Sequence, residues 1–371
     1  MRLTNIELPK FSRSIEKIMK KDEVSRQFSQ PQYNDLGADE VIEPIFPLGI
    51  VPTMEAWKEE RTALLRRWKA VLGTPAFDSF DRTQEIVEIF ERPTYTGTIF
   101  KQATGPDTLQ TLLLMEPKLV TLSPRSGIVV PFYDPDRMAG LDLKTHQPIA
   151  ETSSIRFGYH LVQQGYVVVC TEAFPYNTVP EPEHNLGFAW WEQATEKLLT
   201  ENPNWTGIAK LAWDTSLAID LLLDQPDIDL GRIGVMGHSL GGKMAFYTGV
   251  FDQRVKAIVG SDFGLGFNFT NWNAPWYLGN QVLSPGFTLA HHHLLALCAP
   301  RSFFLVGGKT DRPASWQYIA EARKIYQLYD SSESIGFVDH AAGHWPTEES
   351  LRIAYQWLAE QFNLIPQPWM L

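Results

Sequence analysis

The chain has 371 residues, long for one compact domain and short for two full ones, which points to one large domain carrying an N-terminal extension. Hydrophobic residues make up 44% and charged residues 20%, and no run reaches the roughly 18 to 20 uninterrupted apolar residues of a membrane-spanning helix, so a membrane partner is not expected. The formal charge of −11 and pI near 5.3 repel polyanions, which excludes nucleic acid as the natural partner.

Residues 1–85 read as an extension, with irregular Pro- and Asp-rich stretches around one clear helix, Met54 to Leu72. Trp57, Leu64, Leu65, Trp68 and Val71 recur there at helical spacing until Gly73 stops it. The first 25 residues interleave Arg2, Glu7, Lys10, Arg13, Glu16 and Lys17 with apolar positions, so no continuous signal-peptide core is present and a cytoplasmic location is expected. From residue 86 the texture changes to a second unit, 86–371. It opens with β-rich runs (Ile86 to Phe90, Thr94 to Lys101, Thr108 to Leu114) punctuated by turn residues, as in an antiparallel lead-in to a sheet.

Strands and helices then alternate. A short apolar run, Gly127 to Phe132, precedes a helical stretch, Ser153 to Gln164, and a β-branched run, Tyr166 to Cys170. The pattern continues with helix Ile208 to Leu223, strand Arg232 to Met236, a helix after Ser239, and strand Val255 to Gly260. Strand Ser302 to Val306, helix Ser315 to Tyr329, strand Ser334 to Val338 and helix Thr347 to Phe362 complete it. Such alternation demands a mostly parallel sheet with helices on both faces, an α/β fold.

Gly237-His238-Ser239-Leu240-Gly241 follows a strand and precedes a helix, the setting of a nucleophile elbow. The glycines are required where a side chain would meet the adjoining strand and helix. Ser239 is therefore the candidate nucleophile. The backbone N–H of Leu240 is one candidate oxyanion donor, because the residue after the nucleophile supplies it in this geometry. The second donor is expected in the loop after Gly127 to Phe132, where Tyr133 offers its backbone N–H or hydroxyl, or serves only structure. His344, in a loop before the last helix, is the candidate general base, with His340 as rival. Asp311, after strand Ser302 to Val306 and the Gly307-Gly308 turn, is the candidate acid, with Asp262 and Asp339 as rivals.

His238 reads as a neighbour that shapes the pocket. The run His291-His292-His293 does not suggest a metal site, since adjacent side chains point in different directions. No metal and no cofactor are expected. Cys170 and Cys298 lack ligand spacing and read as buried small hydrophobes. The insertion Gly264 to Asn280 carries Trp272 and Trp276, either as a substrate-binding platform or as aromatics holding the loop to the body. Trp190, Trp191, Trp272, Trp276 and Trp345 are expected to wall the pocket and favour a short acyl group.

With these residues in place the chain resembles the α/β-hydrolase superfamily, within it the group of dienelactone-hydrolase-like proteins, acetyl xylan esterases and bacterial glucuronoyl-esterase-like proteins. Asp227 to Gly242, Asp252 to Val259, His292 to Asp311 and Gly343 to Pro346 carry the likeness, which covers roughly residues 90–365. The resemblance implies the α/β-hydrolase fold, a triad of Ser239, Asp311 and His344, and hydrolysis of a small-molecule carboxylic ester of short-acyl or carbohydrate type through an acyl-enzyme. Phe132-Tyr133 departs from the His-Gly of many relatives. Two other readings stay open: a peptidase resembling the prolyl oligopeptidase group, although the N-terminal part is short for a propeller, and a binding protein on a hydrolase scaffold. The sequence does not speak to oligomeric state.

Overall fold

A computed structural model describes residues 42–118, 123–149, 153–184 and 186–371. Residues 1–41 of the N-terminal extension lie outside the described residues. The helix read at Met54–Leu72 (α1) forms with those bounds: Thr53 caps its start by accepting the Ala56 N–H at 3.2 Å, and Gly73 ends it with φ 68°. A Cβ on Gly73 would fall 1.4 Å from the Asn204 carbonyl oxygen, so only glycine lets the chain leave there.

The stripe Trp57, Leu64, Trp68 and Leu72 of α1 is buried in the same core as the sheet, with Trp68 stacked on His291 at 6.1 Å and Trp57 Nε1 donating to the Tyr329 hydroxyl at 3.2 Å. Truncating either indole would cost about 3–5 kcal/mol. The change of texture at residue 85 marks the start of the sheet at Gln84, whereas the core runs across it.

Nine strands form one sheet in the order β1-β2-β3-β5-β4-β6-β7-β8-β9. The lead-in strands β1 (Gln84–Glu91), β2 (Tyr95–Gly105) and β3 (Thr108–Pro117) pair antiparallel, and β3 joins β5 (Val167–Thr171) antiparallel. From there β4 (Arg125–Pro131), β6 (Ile228–His238), β7 (Ala257–Ser261), β8 (Ser302–Gly307) and β9 (Ile335–Asp339) run parallel. Alternate strand residues feed two cores, as the period of 2 requires. Val129, Val169, Val235, Ile258 and Leu305 face one, and Ile128, Val168, Met236, Val259 and Val306 the other.

The first core is covered by α1, α4 (Phe188–Glu201), α5 (Gly207–Leu223), α6 (Leu240–Phe251), α7 (His291–Cys298) and α8 (Ser315–Leu328). The second is covered by α2 (Pro135–Ala139), α3 (Phe157–Gln163) and α9 (Glu348–Gln361). The helix expected from Ser153 is shorter: Arg156 has ψ 59°, outside the helical range, so α3 starts only at Phe157. Cys170 and Cys298 are both buried and free, one in each core. No helix among the described residues is long and apolar enough to cross a membrane.

The chain order reverses around β4, which lies between β5 and β6. A crevice opens beyond the carboxyl ends of strands at such a point. Phe132-Tyr133 and Ser239 emerge into it from β4 and β6.

Candidate active site

Ser239 sits between β6 and α6 with φ 52° and ψ −115°, a conformation that costs a non-glycine residue about 1–3 kcal/mol and survives only when the surroundings enforce it. The enforcing contacts are the Ser239 N–H donating to the Ser261 carbonyl at 2.7 Å and the glycines on either side. A Cβ on Gly237 would lie 2.0 Å from the Gly241 oxygen, and one on Gly241 2.0 Å from the Pro131 oxygen. Strand, turn and helix are thus locked backbone to backbone. Leu240 opens α6, so its N–H has no partner within the helix and is free to act as a donor at the crevice.

His344 Nδ1 lies 2.5 Å from Asp262 Oδ2. The expected partner was Asp311, and the structure corrects it. Asp262 follows β7, and its Oδ1 accepts the backbone N–H groups of Gly308, Lys309 and Asp311 at 3.2, 3.1 and 2.9 Å. Burial pushes this carboxyl up, but the bond to His344 and the backbone donors outweigh it and hold Asp262 below the usual carboxylate range. Asp311 is fully buried and turned inward. Its oxygens accept the Gly264 N–H at 2.8 Å, the Leu265 N–H at 2.7 Å and the Ser315 hydroxyl at 3.0 Å. Burial raises it to about 6, with Asp262 adding repulsion and the Leu265 and Gly264 amides opposing.

The other acid, Asp339, accepts the Ala341 N–H at 2.9 Å and stays in its own loop. His340 likewise turns back, its Nδ1 accepting the Ala342 N–H at 3.1 Å. His238 is buried beneath His344, ring centroids 4.6 Å apart, with Nδ1 3.1 Å from the Ser261 hydroxyl. Burial, reinforced by the neighbouring His344, lowers it to about 3, so it remains neutral and acts as a packing bed.

Ser239, Leu240, Asp262 and His344 line a cavity of about 330 Å³, closed on other sides by Tyr133, Phe188, Tyr277 and the polar residues Thr270, Asn271, Lys309 and Thr310. Tyr133 packs its ring edge-on against Phe132 and Trp191 at 4.9 and 5.6 Å. Trp272 and Trp276 do not form the expected platform. Trp272 is wholly buried, its Nε1 donating to the Gly264 carbonyl at 2.6 Å, and Trp276 lies flat on Phe188 at 5.3 Å beneath the cavity wall. Both hold the insertion to the body. Neither they nor Trp190, Trp191 and Trp345 line the cavity.

Among the lining residues without a counterpart in the sequence-based expectations, one is a buried cation. Lys243, one helical turn after Ser239, is buried with its Nζ 3.1 Å from Asn271 Oδ1, 3.9 Å from the Tyr277 ring centroid and 4.3 Å from that of Trp272. Burial lowers its affinity for a proton well below the ordinary lysine value, although Asp311 pulls the other way. A lone lysine in the otherwise apolar run Met244 to Val250 and its flanks is the signal that marks it. Of the three adjacent histidines of α7, His291 faces Leu265 and Tyr247, while His293 Nδ1 accepts the Ala290 N–H and its ring lies 4.1 Å from that of His292. Among the described residues no group of three or more ligand-type side chains is placed to hold a metal.

Residues 197–273 match the family described as glucuronyl esterase, fungi. The chain is 26% identical over 176 residues to a Bacillus subtilis (strain 168) protein named only as a hydrolase, YtaP, covering 44% of this chain and 57% of that one. It is 26% identical over 175 residues to the 4-O-methyl-glucuronoyl methylesterase of Hypocrea jecorina (strain QM6a), covering 38% of each. The chain thus spans less than two thirds of the length of either relative. Among solved structures it is similar to the glucuronoyl esterase from Solibacter usitatus, with TM-score 0.66 and 19% identity over 87% of this chain and 98% of that one. A carbohydrate esterase family 15 glucuronoyl esterase from Caldicellulosiruptor kristjansonii gives TM-score 0.62 and 20% identity over 90% and 93%. With its strand order, its elbow at the end of β6 and these likenesses, the chain has the α/β-hydrolase fold.

Proposed function

We propose that the protein is a serine esterase that cleaves a carbohydrate-type carboxylic ester through an acyl-enzyme on Ser239. The observation that carries this reading is the 2.5 Å contact of His344 with buried Asp262 in the same cavity as the elbow serine. With Nδ1 bound to Asp262, the other ring nitrogen of His344 is left to serve the serine. Ser239 Oγ attacks the acyl carbon as His344 Nε2 takes its proton, and the Leu240 N–H, assisted by that of Tyr133, stabilises the oxyanion. The alcohol leaves with the proton from His344. Water then enters and attacks the acyl carbon as the same nitrogen takes its proton; when the bond to Ser239 Oγ breaks, His344 returns that proton to Oγ and the acid is released.

Support for a carbohydrate-type substrate comes from the polar lining. Lys243, Asn271, Thr270 and Thr310 offer hydroxyl-binding groups where a lipase would need an apolar channel, and the small cavity favours a compact acyl group. The names of the methylesterase relative and of the similar glucuronoyl esterase structures agree. A cytoplasmic location is part of this reading, suited to two unpaired buried thiols, and cell fractionation tests it.

A fluorophosphonate probe should label Ser239, and Ser239→Ala should lower hydrolysis by about 10³-fold or more with the fold intact. A panel of acetylated sugars, uronic-acid methyl esters, nitrophenyl esters of rising chain length and aminoacyl amides should show sugar and short-acyl esters cleaved best. Preference for the amides would favour a peptidase, and absence of labelling would remove the enzyme reading.

A further inference from the structure

A second cavity, of about 380 Å³, shares no lining residue with the cavity at Ser239. It lies between the turn joining β2 and β3, the end of α4 and the start of α5. Phe77 and Trp205 give it an apolar wall, their rings edge to face at 6.1 Å. Its size is that of a small-molecule pocket.

The polar groups of this cavity are unevenly satisfied. Buried Lys210 donates from Nζ to Asp214 Oδ1 at 2.6 Å and to the Thr104 hydroxyl at 3.0 Å, and an ammonium carries three N–H groups, so one is left over. Lys197 donates to the Thr178 carbonyl at 3.0 Å; Glu201 is 3.9 Å away, beyond hydrogen-bond reach, which leaves two more donors. Asn202 spends one amide N–H on the Leu198 carbonyl at 3.3 Å and keeps the other. The acceptors beside these donors are already taken. Asn202 Oδ1 accepts the Ala76 N–H at 2.8 Å, the Thr104 carbonyl accepts the Trp213 indole N–H at 2.9 Å, and Asp214 Oδ2 accepts the Asn177 amide at 2.8 Å. The two carboxylates of the lining, Asp107 and Glu201, are exposed, where water and salt screen them.

Spare donors on two ammonium groups beside an apolar wall suit an anion with an apolar body. They do not suit a neutral polyol, whose hydroxyls need acceptors as well. We propose that this cavity is a second binding site, for a small organic carboxylate: the carboxylate accepts from Lys197 and Lys210, and the apolar body rests on Phe77 and Trp205. Helix α4 joins the two cavities, since Phe188 at its start lines the one at Ser239 and Leu198, about 15 Å further along the axis, lines this one. The acid that an esterase releases belongs to this ligand class, and so does a carboxylate made elsewhere.

Calorimetric titration with benzoate and its neutral isostere benzamide reads the charge. Benzoate should bind one site per chain, and benzamide more weakly by about tenfold or more, the scale of one charge-assisted hydrogen bond. Lys197→Met should weaken benzoate binding about tenfold. So should Lys210→Met made together with Asp214→Asn, which leaves no buried charge unpaired. Lys243→Met, in the other cavity, should leave benzoate affinity within about twofold. Circular dichroism confirms that each variant is folded. Equal binding of benzoate and benzamide, no benzoate binding at millimolar concentration, or a loss confined to Lys243→Met would overturn the proposal. The acid released from the best ester substrate, titrated beside benzoate, separates the two sources. Tighter binding than benzoate assigns the site to the protein's own product, and weaker binding to an acid made elsewhere; both support the site. The benzoate titrations need no reactive Ser239, so their outcome is independent of fluorophosphonate labelling and of the esterase reading.

Discussion

The ends of β7 and β8 carry two buried aspartates that are laced into each other's loops. Asp262 accepts amides from the 308–311 loop, and Asp311 accepts amides from residues 264 and 265. They differ in where the remaining capacity points. Asp262 presents Oδ2 to His344, and that bond with its backbone donors outweighs the cost of burial. Asp311 spends both oxygens on the protein interior and is raised to about 6 by burial. The lesson is that a carboxylate at a strand end becomes a partner for a base only when one oxygen is left facing it; otherwise it is a brace.

The sharpest way to break this comparison is Asp262→Asn. An amide in place of the carboxylate cannot stabilise the imidazolium and disfavours the tautomer that Ser239 needs, so kcat should fall on the order of 10³- to 10⁴-fold with the circular dichroism spectrum unchanged. A loss under tenfold, with Asp311→Asn the more damaging change, would reverse the two roles. Asp311→Asn should act mainly on stability, costing about 1–3 kcal/mol in urea unfolding because one buried amide of Gly264 or Leu265 loses its acceptor. Its effect on kcat/KM should stay near tenfold, since only loop placement suffers.

The smallest effect concerns pH. Asp311 holds its proton to about 6 in the folded state against an ordinary value of 3.8. Folding therefore binds a proton between those values, so the stability linked to it is full below the lower value and lost as pH rises through the upper. Asp262, which is depressed, contributes stability above its ordinary value and loses it as pH falls. The destabilisation caused by Asp311→Asn should accordingly be larger at pH 4.5 than at pH 7. Urea titrations of both proteins at the two values check this, and an equal or opposite difference would show that Asp311 is ionised throughout.

Most of the fold is legible in the sequence because its strands are β-branched runs separated by helices with clear apolar stripes, and α1 even keeps its bounds. The helices Pro135–Ala139, Phe188–Glu201 and His291–Cys298 escape, the first by its brevity and the last because three histidines mask an otherwise apolar turn. At the candidate site, the positions proposed for nucleophile and base, Ser239 and His344, are legible from local context. The choice between Asp262 and Asp311 is not, since both follow adjacent strands and only the direction of a side chain separates them. Trp272 and Trp276 stay undecided in the sequence for a related reason: an aromatic-rich insertion has the same composition whether its rings face inward or toward a ligand. Lys243 leaves a local signal, a charge one turn into a helix that is buried all round.

That last helix has a consequence for how the protein can change. From Leu240 to Val250 every residue of α6 is buried, so Ser239, the proposed nucleophile, is mounted on a rod with no tolerant side. Random drift there is costly, because close-packed interiors feel changes of a single methylene. New selectivity, in nature or in a laboratory library, should therefore arise at Phe188, Thr270, Lys309 and Thr310, which border the same cavity from loops and a helix start. The lineage of such an enzyme would keep one immobile chemical centre and diversify by exchanging its rim.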